Sequence, residues 1–217
     1  LDAGEYTVVL APEAVGEMLA TLAYAGASAK AVAEGSSFMA GHLGEGLMSE
    51  AVTISDDALA DGALGPTFDW EGMPKRRVEL VASGVAKGPV TDSYWAARTD
   101  TPDTGHALPA PNSYGPLPLN LMIEPGDSTI DEMIASVERG IYVTRFHYVN
   151  IEDPVKALLT GMTRDGTFLI RGGVLADPVR NVRFTQSAVE ALDSVRSIAS
   201  DRVMVDTMLG PALMPAL

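Results

Sequence analysis

"IYVTRFHYVNI", residues 141–151, alternates apolar and polar side chains and is rich in β-branched and aromatic residues. That is the pattern of a strand with one buried face. Downstream, "LLTGMTRDGTFLIRGGVLADPVRNVRFTQ" (158–186) predicts three more strands, with Asp-Gly and Gly-Gly at the turns. A helix is expected on either side of this block. "PGDSTIDEMIASVERG" (125–140) has Ser128 or Thr129 as its cap, Asp131 and Glu132 in its first turn, and Gly140 as its stop. "SAVEALDSVRSIAS" (187–200) is amphipathic at helical spacing.

Towards the N-terminus, "EYTVVLA" (5–11) reads as a strand. Pro12 at the first helical position and Glu13 in the first turn then start a helix. Leu19, Leu22 and Ala23 continue its apolar face, and "YAGAS" ends it. "SSFMAGHLGEGLMSE" (36–50) is Gly-rich and irregular, whereas "AVTISDD" (51–57) alternates as a half-buried strand. Residues 58–76 form a long loop that carries Phe68 and Trp70, and a loop of this length is often functional. "RVELVASGVAKG" (77–88) is a hairpin turning at Ser83 and Gly84. "TDSYWAAR" (91–98) makes a turn or two of helix, 99–118 is Pro/Gly-rich and irregular, and "LNLMIE" (119–124) is a strand. No repeat has a solenoid period. The fold class is α+β: a mainly antiparallel, strongly twisted β-sheet or barrel-like core with about three helices.

Composition narrows the function. Apolar residues make up 47% of the 217, enough for a sizeable core. The net charge of -14 disfavours phosphate backbones, so nucleic acid is not an expected partner. Without cysteine there are no disulfides, thiolate metal sites or cysteine nucleophiles, which suits a reducing, cytoplasmic setting. No apolar run reaches the roughly 18 residues of a membrane helix. The chain starts with Leu1 in mid-pattern and ends in "GPALMPAL", and is read as trimmed at both ends.

Individual residues carry little chemistry alone. His42, His106 and His147 are far apart in sequence and never have helix-ligand spacing. His106 lies in the Pro-rich loop, where a side chain can be presented to a ligand, and His147 in a strand with one buried face. Glu13 and Glu17 share one helix face, as an acid/base pair would, but carboxylates in a first turn are also simply favoured by the helix dipole. Asp56, Asp57, Asp61 and Asp69 lack the order of a calcium loop. There is no nucleophile elbow, P-loop or dinucleotide fingerprint.

Taken in order, several stretches resemble the C-terminal domain of the TldD/PmbA family, on its PmbA (TldE) side. They are "SSFMAGHLGEGLMSEAVTISDD", "FDWEGMPKRRVELVASGVAKGPVTDSYWAAR", "LNLMIEPGDSTIDEMIASVERGIYVTRF" and "DGTFLIRGGVLADPVRNVRFTQS". The resemblance runs from about Glu5 to about Val205. It implies that residues 1–217 are one C-terminal domain of a larger protein, without its N-terminal domain and extreme C-terminus. In the TldD branch the helix after the first strand carries His-Glu-x-x-x-His, and a cysteine near the C-terminus completes the zinc site. Laid on this chain, the histidine positions fall on Pro12 and Glu17 and the glutamate on Glu13. Pro12 has no ligand atom, and a lone carboxylate does not hold zinc.

The resemblance therefore implies a TldE-type, non-catalytic subunit with no cofactor of its own. Zinc is expected only in a TldD-like metallopeptidase partner, and the pair would degrade small or unfolded peptides and trim leader peptides. A hetero- or homodimer is expected, with Phe68, Trp70, His106 and Tyr114 as candidate interface or peptide contacts. The acidic composition favours basic or neutral peptides as a long-range bias. Two other readings stand beside this one. The first is a homo-oligomeric peptide-binding protein without a protease partner. The second is a peptidase with an atypical metal site, drawn from His42, His106 and Glu13.

Overall fold

The computed structural model describes residues 1–217. The chain runs β1 (Thr7–Leu10), α1 (Pro12–Gly26), α2 (Ala29–Ala33), β2 (Ile54–Asp56), β3 (Val78–Ala82), β4 (Val85–Ala86), α3 (Ser93–Thr99) and β5 (Leu121–Ile123). It continues α4 (Ile130–Ala135), β6 (Arg139–Asp153), β7 (Leu158–Arg171), β8 (Val174–Pro178), β9 (Arg183–Ser187), α5 (Ala188–Asp193), β10 (Val203–Thr207) and β11 (Gly210–Met214).

Two open sheets result, and neither closes into a barrel. In the first, β1 pairs parallel with β6, β6 pairs antiparallel with β7, and β7 is extended by β8 at one end and β9 at the other. The second sheet has the order β10-β11-β5-β2-β3-β4, antiparallel except for β11 beside β5. The α1 helix packs on β6 of one sheet and on β10 and β11 of the other. A single apolar core joins Leu19 and Leu22 of α1 to Ile54, Leu80 and Ile123 of one sheet and Val143 and Leu159 of the other. A smaller cluster under α4 unites Val9, Met133, Ile134, Ile170 and Ala216. On the edge of β1 away from β6, Leu10 and Leu217 exchange backbone hydrogen bonds of 2.7 and 3.1 Å.

Several boundaries differ from the sequence expectation, each for a non-local reason. The 125–140 helix is only α4, capped by Thr129 in a full capping box with Glu132. Gly140 does not stop it. Gly140 lies in β6, where a Cβ would meet Thr7 O at 2.5 Å, so glycine permits the close approach of β1. Asp165-Gly166 is not a turn either. β7 runs through it, with Asp165 at φ 63° opposite an irregularity in β6. The Gly172–Gly173 turn forms as expected. The 187–200 helix ends at Asp193, because Ile198 and Ala199 give their backbone groups to Ser128, Gly126 and Ala216. There are five helices rather than about three, α2 being one extra turn. The β10–β11 hairpin was not foreseen.

Candidate functional site

The α1 helix, which carries Pro12, Glu13 and Glu17, packs between the two sheets. Ala11 precedes it without a capping side chain, and its N–H donates to Val143 O at 3.0 Å, so α1 enters docked on β6. Gly16 lets the helix lie close to β10, since a Cβ there would meet Val205 Cγ2 at 2.7 Å and Thr207 Cγ2 at 3.2 Å. These contacts leave Glu13 exposed and Glu17 half-buried, one turn apart on the open side. On the β6 wall, burial, and then the Glu13 charge, raise the Tyr142 phenol above its ordinary value. Burial likewise raises the Glu17 carboxyl, and Arg145 and His147 partly counter the effect. Opposite β6, Thr21 donates to Glu17 O at 2.8 Å and has Met208 Sδ at 3.9 Å, so the β10–β11 turn closes the other side.

These residues do not fit a zinc ion. The Pro12 side chain offers no ligand atom, α1 supplies only the two carboxylates of Glu13 and Glu17, and a guanidinium occupies the field of one of them. The alternative trio is not assembled either. His42 is exposed and paired with Glu45 at 2.8 Å, while His106 is buried against Asp56, on a different element from Glu13. No three metal-ligating side chains come within reach of one ion.

His106 is the clear correction among the candidate contacts. It is 1% exposed, so it presents nothing to a ligand. Its Nε2–H donates to Asp56 Oδ1 at 2.8 Å, and Nδ1 lies 2.9 Å from Thr104 Oγ1. The order Thr–His–Asp resembles a nucleophilic triad, but the imidazole and the carboxyl are both sealed from solvent. The hydroxyl is held by the backbone N–H and C=O of Thr91 at 2.7 and 3.0 Å, leaving no approach for a substrate carbonyl.

The same cluster continues inward. Asp56 Oδ2 accepts from Asn120 N at 2.6 Å, and Asn120 Oδ1 accepts from Lys75 Nζ at 3.0 Å. Burial lowers the Lys75 ammonium from its ordinary value, against the attraction of Asp56 and Asp69. Asp69 accepts three backbone N–H groups, those of Glu71, Met73 and Ala107, each at 2.9 Å. The two buried carboxylates are thus satisfied by donors and one ammonium, and three loops are pinned together.

The pin decides what the surface shows. With Asp69 turned inward, its neighbours Phe68 and Trp70 point out, 60% and 54% exposed. Glu71 accepts from Ser93 N at 3.2 Å, so the loop tip abuts the start of α3, where Tyr94 is also exposed. Tyr114 stands out from the Pro-rich loop, 6.2 Å from the ring of Tyr24, over a notch of about 280 Å³. That loop divides: Gly115 to Pro118 are buried, and 109–114 are exposed.

The architecture is that of a two-sheet α+β domain with its strand–helix unit set across both sheets. TldE from Thermococcus kodakarensis has the same fold, with a TM-score of 0.86 at 23% identity over 98% of this chain and 48% of that one. The chain belongs to the PmbA/TldA metallopeptidase C-terminal domain family, whose model matches residues 3–216. A metalloprotease of Methanothermobacter thermautotrophicus is 29% identical over 202 residues, covering 91% of this chain and 43% of the relative. A TldD-homologue metalloprotease of Haemophilus influenzae is 28% identical over 178 residues, covering 81% and 36%. The chain therefore spans less than half the length of these relatives.

Proposed function

We propose that this domain belongs to a non-catalytic, TldE/PmbA-like subunit that works beside a TldD-like metallopeptidase in degrading or trimming peptides. The supporting observation is the surroundings of Glu17. The place of the second zinc histidine is taken by Glu17, a half-buried carboxylate whose neighbouring charges are Arg145 and His147 rather than a metal. A guanidinium does not polarise a peptide carbonyl and activate water as a Lewis acid does. What remains is a surface for a peptide rather than a site for a metal. β1 pairs with β6 only as far as Val143, so on that side β6 has no strand neighbour from Thr144 to Asp153, and extended peptides bind such edges.

In this reading Phe68, Trp70 and Tyr114 lie at the partner interface, and the subunit needs no zinc of its own. Co-expression of the full-length protein with a TldD-like metallopeptidase tests it. A stable complex is expected, with peptidase activity and zinc both lost when the partner's own histidines are changed. Activity and stoichiometric zinc in the separated subunit, both lost on Glu13→Gln, would overturn it.

A further inference from the structure

The charges of the chain are segregated. From Arg139 to Ser187, the span of β6 to β9, seven Lys and Arg stand against four Asp and Glu, a net +3; the rest carries eight against twenty-five, a net −17. The overall −14 therefore hides a basic sheet on an acidic body.

The register gathers these cations on one face. Arg145 lies opposite Arg164, His147 opposite Met162, and Met162 opposite Arg183. Alternation along β7 puts Met162 and Arg164 on the same side. All five side chains are exposed. The other side of these strands is core, with Leu159 buried and the Phe146 ring tilted against Phe184 at 4.5 Å between centroids. Two arginines directly opposite one another repel. Asp165 stands between them, 3.1 Å from Arg145 and 3.6 Å from Arg164, and cancels one charge. Arg183 has no carboxylate partner, and the Glu17 carboxylate that faces Arg145 and His147 is half-buried. Strand spacing of roughly 4.8 Å and an i,i+2 repeat of roughly 6.5–7 Å spread the cations over a patch of about 10 by 7 Å. Carboxylates at alternate positions of an extended chain have that repeat.

We propose that this face docks an acidic, extended segment of the peptide handled by the complex. The inference rests on the peptide-processing reading above and gives it a substrate class opposite to the one the net charge suggests. The unpaired stretch of β6 places backbone hydrogen-bonding groups beside Arg145 and His147, which suits an extended polypeptide. A nucleic acid reaching beyond the patch meets the acidic body, including Glu17. A second copy meeting this face symmetrically would set basic groups against basic groups.

The test uses fluorescein-labelled peptides of alternating Thr and Glu, Thr and Gln, or Thr and Lys, and a short single-stranded DNA, titrated by anisotropy with the full-length protein alone. The Glu peptide is expected to bind about tenfold or more tighter than the other three and to weaken as salt rises to roughly 0.3 M. The combined Arg145→Gln, Arg164→Gln and Arg183→Gln variant is expected to lose that preference. Asp165→Asn, which frees both arginines and does not depend on the triple variant folding, is expected to tighten the Glu peptide severalfold. Preference for the Lys peptide, equal binding of the DNA, or affinity indifferent to Asp165→Asn would overturn the proposal. Partner assembly is measured separately. A complex that forms while the Glu peptide fails to bind rejects the docking face alone, and Glu-peptide binding by a protein that never assembles with a TldD-like partner rejects the subunit reading alone.

Discussion

Asp69 Oδ2 accepts the backbone N–H of Ala107 at 2.9 Å, fastening the middle of one long loop to the start of another thirty-eight residues on. Asp69→Ala leaves three backbone donors without their acceptor. Hydrogen bonds to a charged group contribute about 1.5–3 kcal/mol each, with some recovery by water. The expected loss is about 3 kcal/mol in urea unfolding, with faster proteolysis within 58–76. An unchanged midpoint would mean that the loop is held elsewhere.

Trp70 lies just beyond that fastening, 54% exposed. Trp70→Ala is expected to move the melting of the separated subunit within the range of surface substitutions, about 0.5 kcal/mol either way. If Trp70 anchors the partner, the same change weakens association by about 2 kcal/mol or more. Calorimetric titration between subunits shown to be folded measures this, and unchanged affinity removes Trp70 from the interface.

Gly16→Ala opposes two terms. The helix gains about 1 kcal/mol in propensity. The new methyl meets Val205 Cγ2 at 2.7 Å, on a β-branched side chain that is 4% exposed and has little room to move. Overpacking of this kind costs about 1–3 kcal/mol. Net destabilisation is expected, relieved by the double change with Val205→Ala. A stabilised single variant would show that α1 and β10 slide apart freely.

Glu17 sets a pH dependence. Its carboxyl is raised from 4.5 by burial, so from about pH 4.5 up to the raised value the folded state holds the proton more than the unfolded state does. Stability from this group is therefore greatest in acid and falls as pH rises through that window. Glu17→Gln is expected to flatten the slope and to raise neutral-pH stability by less than about 1 kcal/mol, since the group is half in solvent and loses the attraction of Arg145. A steeper slope in the variant would refute the assignment.

The sequence disclosed what local pattern encodes. The alternation of 141–151 marks β6, Ser83 and Gly84 mark their turn, and Thr129 with Glu132 marks the start of α4. It failed where a distant partner decides. Gly140 reads as a helix stop but is a point of close approach to Thr7. The "VMVDTMLGPALM" run forms β10 and β11, with β11 held beside β5 from far back in the chain. Around the site, Pro12, Glu13 and Glu17 were legible because the family pattern fixes their spacing. Arg145 and His147 were not, because nothing along the chain says which face of a strand a helix leaves open. His106 was misread because a Pro-rich loop suggests display, whereas Asp56, fifty residues earlier, draws it inward. The neighbouring "ISDD" placed an acid amid apolar residues and was the one available hint.

The position of β1 has a consequence for biosynthesis. Its two edges are filled by residues 140–143 on one side and by Leu217 on the other. On the ribosome, "YTVVL" therefore emerges ahead of both partners and has no strand to pair with until more than half of these residues have followed. A β-branched strand with both edges open over that interval is a docking point for chaperones and an opportunity for misassembly. The entropy of closing so long a loop slows the formation of this sheet.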